Sequence, residues 1–295
     1  MPDEPEEGRP ARKRPGRLLT WLGVVPFFVF VGLFLLLPSV SLVVGSFQDQ
    51  SGGFTLDNVR SLFEAQFLGA YKTSIFLSAL TAVLGGIFGG ILAYAALTGG
   101  TPRLVRPLIT TFSGVAANFA GVPLAFAFIA TLGTTGIVTQ FLNDALGLDL
   151  YGAGFSLFTF TGLAIIYLYF QIPLMILVIA PAIDGLRKEW REAANNLGAS
   201  SSQYWRYVGL PVLMPSILGA MILLFANAFA AYATPYALTS GQISLVPVLI
   251  GQFFQGDVLA DPHQGYALAL GMVVVVAAST VLYSLLQRRA ARWTR

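Results

Sequence analysis

Groups capable of acid–base, nucleophilic or metal chemistry are few in this sequence and widely separated. His263 is the single histidine, so no HExxH zinc site can be written and no triad can be assembled around it within plausible loops. It reads as a structural residue at a loop edge. Cysteine is absent, which removes disulfides, thiolate nucleophiles and Cys-ligated zinc. Lys13, Lys72 and Lys188 are the only lysines, and none follows a glycine as a GxxxxGK[ST] phosphate loop requires. Any ATP spent with this chain is therefore hydrolysed by another. Asp144, Asp149, Asp257 and Asp261 are scattered rather than paired, so an integral membrane enzyme lacks its acid, base or metal cluster. No catalytic residue, metal ligand or cofactor is assigned.

What stands out is a set of polar residues in apolar surroundings. Asn118, Gln171, Asn227 and Tyr232 are candidate solute-path residues. An unpartnered polar group in hydrocarbon costs several kcal/mol unless it faces protein or water. Hydrogen bonding between helices explains intramembrane Asn and Gln equally well, and Tyr167, Tyr169 and Tyr232 also fit packing or interfacial anchoring.

The elements that must position these residues follow from composition. Of 295 residues 56% are hydrophobic and 11% charged, against roughly 25% charged in a soluble domain. None of the Lys, Arg, Asp or Glu residues falls within 18–47, 73–102, 107–132, 155–183, 207–235 or 263–287. About 20 apolar helical residues cross a hydrocarbon core of roughly 30 Å, so each stretch can span. Continuously apolar runs exclude a barrel, whose strands alternate. The predicted fold class is all-α integral membrane, with six transmembrane helices. The first span exceeds a secretory h-region and reads as an uncleaved anchor.

Positive residues set the orientation. Fifteen of the 17 lie in the N-terminal tail, the second-to-third and fourth-to-fifth connections and the C-terminal tail, leaving Arg60 and Lys72 opposite. Both termini are predicted cytoplasmic, in a bacterial-type inner membrane. The pI near 9.2 belongs to patches beside spans, not to a nucleic-acid-binding face. Residues 1–17 are predicted to be a disordered tail, 18–290 the six-helix domain, and 291–295 a second tail. Phe54–Phe63 suggests a short amphipathic helix capped near Thr55 or Asp57. Gly85, Gly86, Gly89 and Gly90 predict a close packing face. Residues between Gly133 and Asp149 are expected to form a loop. The apolar patch Leu245–Phe254 is too short to cross and is expected to be interfacial or re-entrant.

The strongest signal is a spacing in the fourth-to-fifth connection: Glu192-Ala193-Ala194, three residues, Gly198, nine residues, Val208, one residue, Leu210-Pro211. Glu189–Leu197 contains good helix formers, Gly198 can take the positive φ that ends a helix, and Ser200 and Gln203 have capping-box spacing. A helix-turn-helix protrusion over 187–211 is predicted, with Pro211 opening the next span. The pattern resembles the EAA loop of binding-protein-dependent ABC importer permeases, written EAA, three residues, G, nine residues, I, one residue, LP. Val208 in place of Ile is the one departure. Six such identities coincide by chance in roughly one in 10⁴ to 10⁵ chains of this length.

That resemblance implies a type I importer permease bundle that hydrolyses nothing itself. It also implies a second, similar or identical permease, two ATP-binding ABC subunits docked on the loop, and an extracytoplasmic solute-binding protein. Glu192 would pair with a basic group on the ATPase. Ala231–Gly241 is similar to permeases of the polyamine, iron, phosphonate and thiamine branch; a sugar or glycerol-phosphate importer is the alternative. An ion-coupled secondary carrier, the rival of another class, would need inverted repeats, broken helices and usually a membrane-embedded charge, and none is evident in the sequence.

Overall fold

The computed structural model describes residues 17–97, 102, 104–255 and 261–290, with side chains described within 24–285 of these. The tail expected over 1–17, except Arg17, lies outside the described residues, as do 291–295 and Asp257.

The first span is α1 (Arg17–Val31), a π-helical segment (Gly32–Leu36) and α2 (Leu37–Gly45) in one run. Pro38, near the start of α2, cannot donate to a carbonyl one turn back and would clash with it; the wider π turn just before it relieves that conflict. The connection to the second span carries a five-residue α3 (Asp57–Ser61), whose Asp57 N–H donates to Thr55 Oγ1 at 3.1 Å. α4 (Ala65–Leu97) then runs for 33 residues.

The third charge-free stretch is not one helix. α5 (Val105–Asn118) stops at Phe119–Gly121 and α6 (Val122–Leu132) restarts, because Gly121 has φ +76° and Pro123 cannot donate back across the break. The expected 133–149 loop is also corrected: Gly133–Gly136 forms a turn and α7 (Ile137–Leu146) follows, closed by Gly147 at φ 65°. The stretch apolar and long enough to cross at this point is therefore Val122–Leu146, with the Gly133–Gly136 turn inside it. α8 (Phe160–Asp184) begins at the Thr159 cap. α9 (Lys188–Asn196), α10 (Ser201–Tyr204), a second π segment (Trp205–Gly209) and α11 (Leu210–Phe229) follow. Then come α12 (Ala233–Thr239), α13 (Val246–Gln255) and α14 (Pro262–Ala290). Six apolar runs long enough to cross a membrane result.

The centre is a seam of α4, α8 and α11. Gly85, Gly86 and Gly89 are buried in it: a Cβ at Gly89 would stand 2.6 Å from Met175 Cβ, and one at Gly86 2.8 Å from Met221 Cγ. With no hydrophobic drive between helices in lipid, this close approach is what makes them cohere. α5 lies on α8, and α6 meets α12 where Thr234 Oγ1 accepts from Gly121 N–H at 2.8 Å. The Leu245–Phe254 patch becomes α13, wedged against α4 and α14; Val246 and Val248 are fully buried, and Val246 N–H donates to Ser74 Oγ at 2.9 Å. The first span packs chiefly on α14, with Gly45 against the Tyr266 ring. His263, at the start of α14, donates from Nδ1 to the Gly45 carbonyl at 2.9 Å, a structural tie between the two helices.

Candidate functional site

The EAA spacing is explained by how α9 ends. Gly198 N–H donates to Asn195 O at 2.9 Å and Ala199 N–H to Ala194 O at 3.0 Å, with Gly198 at φ +76°. These are the two bonds of a Schellman closure, so Ala194 and Gly198 are four apart because one supplies the capped carbonyl and the other the left-handed turn. Ser200 then starts α10 through a reciprocal box: its N–H donates to Gln203 Oε1 at 2.7 Å and its Oγ accepts from Gln203 N–H at 3.3 Å. The helix-turn-helix exists as expected, with one difference. α10 does not stop before the next span but passes through the π segment into α11, so Ser201–Phe229 is one continuous helical run. Pro211 falls two residues after that segment, as Pro38 does after the first, for the same reason.

The second half of the loop is anchored inward. Tyr204 is buried, and Trp205 stands edge-on to Tyr94 of α4 at 4.7 Å and against Gly209, where a Cβ would meet its ring at 2.7 Å. Val208 is half-buried, whereas Leu210 and Pro211 are exposed at the entry to α11. α9 presents two faces. Trp190, Ala193 and Leu197 point away from the bundle, Leu197 being 88% exposed. Lys188, Arg191, Glu192 and Asn195, at helical spacing, line a vestibule of 850 Å³ that also receives Arg106, Asp184 and Arg187. Arg106 Nη2 donates to Asp184 Oδ2 at 2.6 Å and ties the start of α5 to the end of α8. Among the described residues no basic group lies within ion-pair distance of Glu192. Arg106, Asp184, Tyr94 and Trp205 escaped the motif reading. The signal for the first two was opposite charges abutting two adjacent charge-free stretches.

The four polar residues proposed for a solute path do not form one constellation. Gln171 is fully buried in the α4–α8–α11 seam; its Nε2 donates to the Leu224 carbonyl at 3.0 Å, and its Oε1 has no partner. That geometry matches interhelical bonding, with one acceptor left over. Asn118 is exposed at the last residue of α5 and donates to its own Gly114 carbonyl at 2.8 Å. Asn227 is exposed on α11. Tyr232 is half-buried, stacks on Tyr236 at 5.3 Å and covers Gly251. The two tyrosines border a cavity of 530 Å³ at the end of the bundle remote from the vestibule; Gln66, Gln252, Gln255 and Gln264 also line it, with no charged side chain among the described residues.

The chain thus combines, among the described residues, six apolar runs long enough to cross a membrane with a closed helix-turn-helix between the fourth and the fifth. Residues 86–295 match the family described as binding-protein-dependent transport system inner membrane component, and the chain belongs to it. It is an ABC importer permease subunit by that membership. It is 27% identical over 209 residues to the sulfate transport system permease protein CysT of Salmonella typhimurium, covering 69% of each chain. It is 23% identical over 270 residues to the spermidine/putrescine transport system permease protein PotB of Haemophilus influenzae, covering 88% of this chain and 91% of that one. The fold is shared with a chain of a bacterial ABC transporter involved in the import of the acidic polysaccharide alginate, at TM-score 0.70 and 18% identity over 92% of this chain and 96% of that one.

Proposed function

We infer that this chain forms one half of the membrane path of an ATP-driven importer, working by alternating access, and that it catalyses no reaction itself. It pairs with a second permease, identical or homologous. Two ATP-binding subunits dock on the 187–211 loops, and a solute-binding protein delivers cargo at the opposite face. Both termini and the vestibule are cytoplasmic, on the strength of the positive-residue asymmetry. The observation that carries the reading is the outward apolar face of α9, Trp190, Ala193 and Leu197, on a turn closed by the motif's own Ala194 and Gly198. Glu192, at the rim of the same helix, is available to a basic group on the ATPase.

The unbroken Ser201–Phe229 run suggests how motion passes inward. Closure of the ATPase pair shifts α9 and α10, and α11 moves with α10 because no joint separates them, which biases the bundle between two states. A small polar solute, polyamine-like in size and polarity, fits the branch resemblance around Ala231–Gly241; Asn118, Gln171, Asn227 and Tyr232 remain the proposed path residues. A second reading, a neutral sugar, is favoured by the glutamine- and tyrosine-lined cavity, which has no charged side chain among the described residues.

The test is co-purification from the native membrane of wild type beside Glu192→Lys with Gly198→Pro. An ATPase retained by wild type and lost by the folded double variant supports the reading. Absence of any ATPase from wild type in several mild detergents contradicts it. The binding protein recovered with the complex, assayed with polyamines and sugars, separates the two solute readings.

A further inference from the structure

Two cavities meet at the basic end of the bundle. One is the vestibule beneath α9. The other is a groove of 430 Å³ between α4, α8 and α11, floored by Gly86 and Gly90 and walled by Met175, Leu213 and Ile217. Both are bordered by Tyr94, Ile183 and Trp205, so the two lie side by side. Among the described residues no Asp, Glu, Lys or Arg lines the groove. Its outer wall faces away from the protein, Ile87 being 48% and Ile91 61% exposed.

Charge distribution in the vestibule is uneven. Arg106 is matched by Asp184. Arg187, Lys188 and Arg191 have no described carboxylate within ion-pair distance, and Glu192 is the one other acid lining the space. The guanidinium of Arg187 is stacked at 5.9 Å on Trp190, which holds it in place without neutralising it. These charges lie just beyond the charge-free stretches ending at 183 and beginning at 107, the level at which lipid headgroups lie.

We propose that the two adjacent cavities together bind one anionic phospholipid, an acyl chain in the groove and the phosphate among Arg187, Lys188 and Arg191. A transmembrane helix of a partner would fill the groove yet leave the excess cations unmatched. A carboxylate from a docked subunit would match the cations yet leave the groove empty. An amphipathic anion does both, and basic pockets between transmembrane helices are where such headgroups bind. Held there, the lipid braces α9 against the ends of α4 and α8. The inference concerns a lipid rather than transported cargo and stands whether or not the solute reading does.

The test is native mass spectrometry of the full chain, released from mild detergent supplied with phosphatidylglycerol or with phosphatidylcholine of the same acyl chains. Wild type is expected to retain phosphatidylglycerol about fivefold or more over phosphatidylcholine, the ratio of roughly one Lys or Arg contact. Arg187→Ala with Arg191→Ala is expected to erase the preference. Gly90→Leu, placed where a Cβ meets only Met175 Cε at 3.7 Å, is expected to fill the groove and remove retention without touching a charge. Equal retention of the two lipids by wild type, which needs no variant, overturns the proposal. So does full retention by a folded Gly90→Leu chain. Displacement of the lipid by millimolar inorganic phosphate overturns it as well, since that marks a free-anion site, as does displacement by a bound second permease or ATPase.

Discussion

Replacing Gly89 by alanine forces two helices apart, and replacing its neighbour Gly90 does not. At Gly89 the new Cβ would stand 2.6 Å from Met175 Cβ and 2.7 Å from the Ile172 carbonyl oxygen, against an optimum near 3.5–4.0 Å. A backbone carbonyl cannot rotate away, so α4 and α8 must separate by about 1 Å along their seam. Overpacking of this kind costs about 1–3 kcal/mol, offset by up to about 1 kcal/mol gained when alanine replaces glycine in a helix. The net loss of about 1–2 kcal/mol corresponds to a Tm lower by about 2–8 °C, scaling from soluble domains of similar size. At Gly90 the new Cβ meets only Met175 Cε at 3.7 Å, so propensity alone acts and Tm is unchanged or about 2 °C higher. The assay is thermal unfolding in one detergent, followed by tryptophan fluorescence. Equal stability of the two variants, or a stabilised Gly89→Ala, refutes the packing described for this seam.

Other expectations are equally specific. Gly198→Ala places a residue with open space around its Cβ at φ +76°, so the cost is backbone strain of about 1–2 kcal/mol; ATPase binding should weaken about five- to thirtyfold, with Gly198→Asn less affected, read by titrating the ATPase. Gln171→Leu forfeits one bond to Leu224 but also removes an unpartnered buried oxygen, so stability should change by no more than about 1 kcal/mol. A transport defect at unchanged Tm then assigns Gln171 to the solute path, and a loss above about 3 kcal/mol refutes the bookkeeping. The Asp49 carboxyl is held below its ordinary range first by the Ser51 hydroxyl and then by the Gly53 N–H. A depressed folded-state value means the 49–53 turn is firm above the ordinary carboxylate range and loosens as pH falls through the depressed value. Exchange of the Gly53 amide should show that loosening in wild type and not in Asp49→Asn.

Much of the fold was legible because lipid imposes a simple rule: charge is excluded, so five of the six charge-free stretches mark spans, the third being displaced to Val122–Leu146. The EAA loop was legible too, because Ala194, Gly198, Ser200 and Gln203 act through local backbone bonds that spacing alone encodes. The break at Phe119–Gly121 was not, since hydropathy does not register a positive φ beside Pro123. Nor was α7, which occupies an expected loop, or the burial of Val246, which depends on Ser74 of a distant helix. Gln171 shows the limit most clearly. A polar residue in a span announces that it has a partner, and only the packing of α8 on α11 reveals that the partner is the Leu224 carbonyl.

The absence of cysteine allows a direct test of ATPase docking on the 187–211 loop: a single cysteine at 197, where the side chain is 88% exposed, and a control cysteine at 148, on the connection after α7. Each chain is co-expressed with its ATPase and treated in intact membranes with a short thiol crosslinker. Docking of the ATPase on the loop requires a permease–ATPase product from position 197, changed in yield by ATP, and none from position 148. A product from 148, or none from 197 while the ATPase co-purifies, would contradict the assignment of the 187–211 loop as the site where ATP drives this permease.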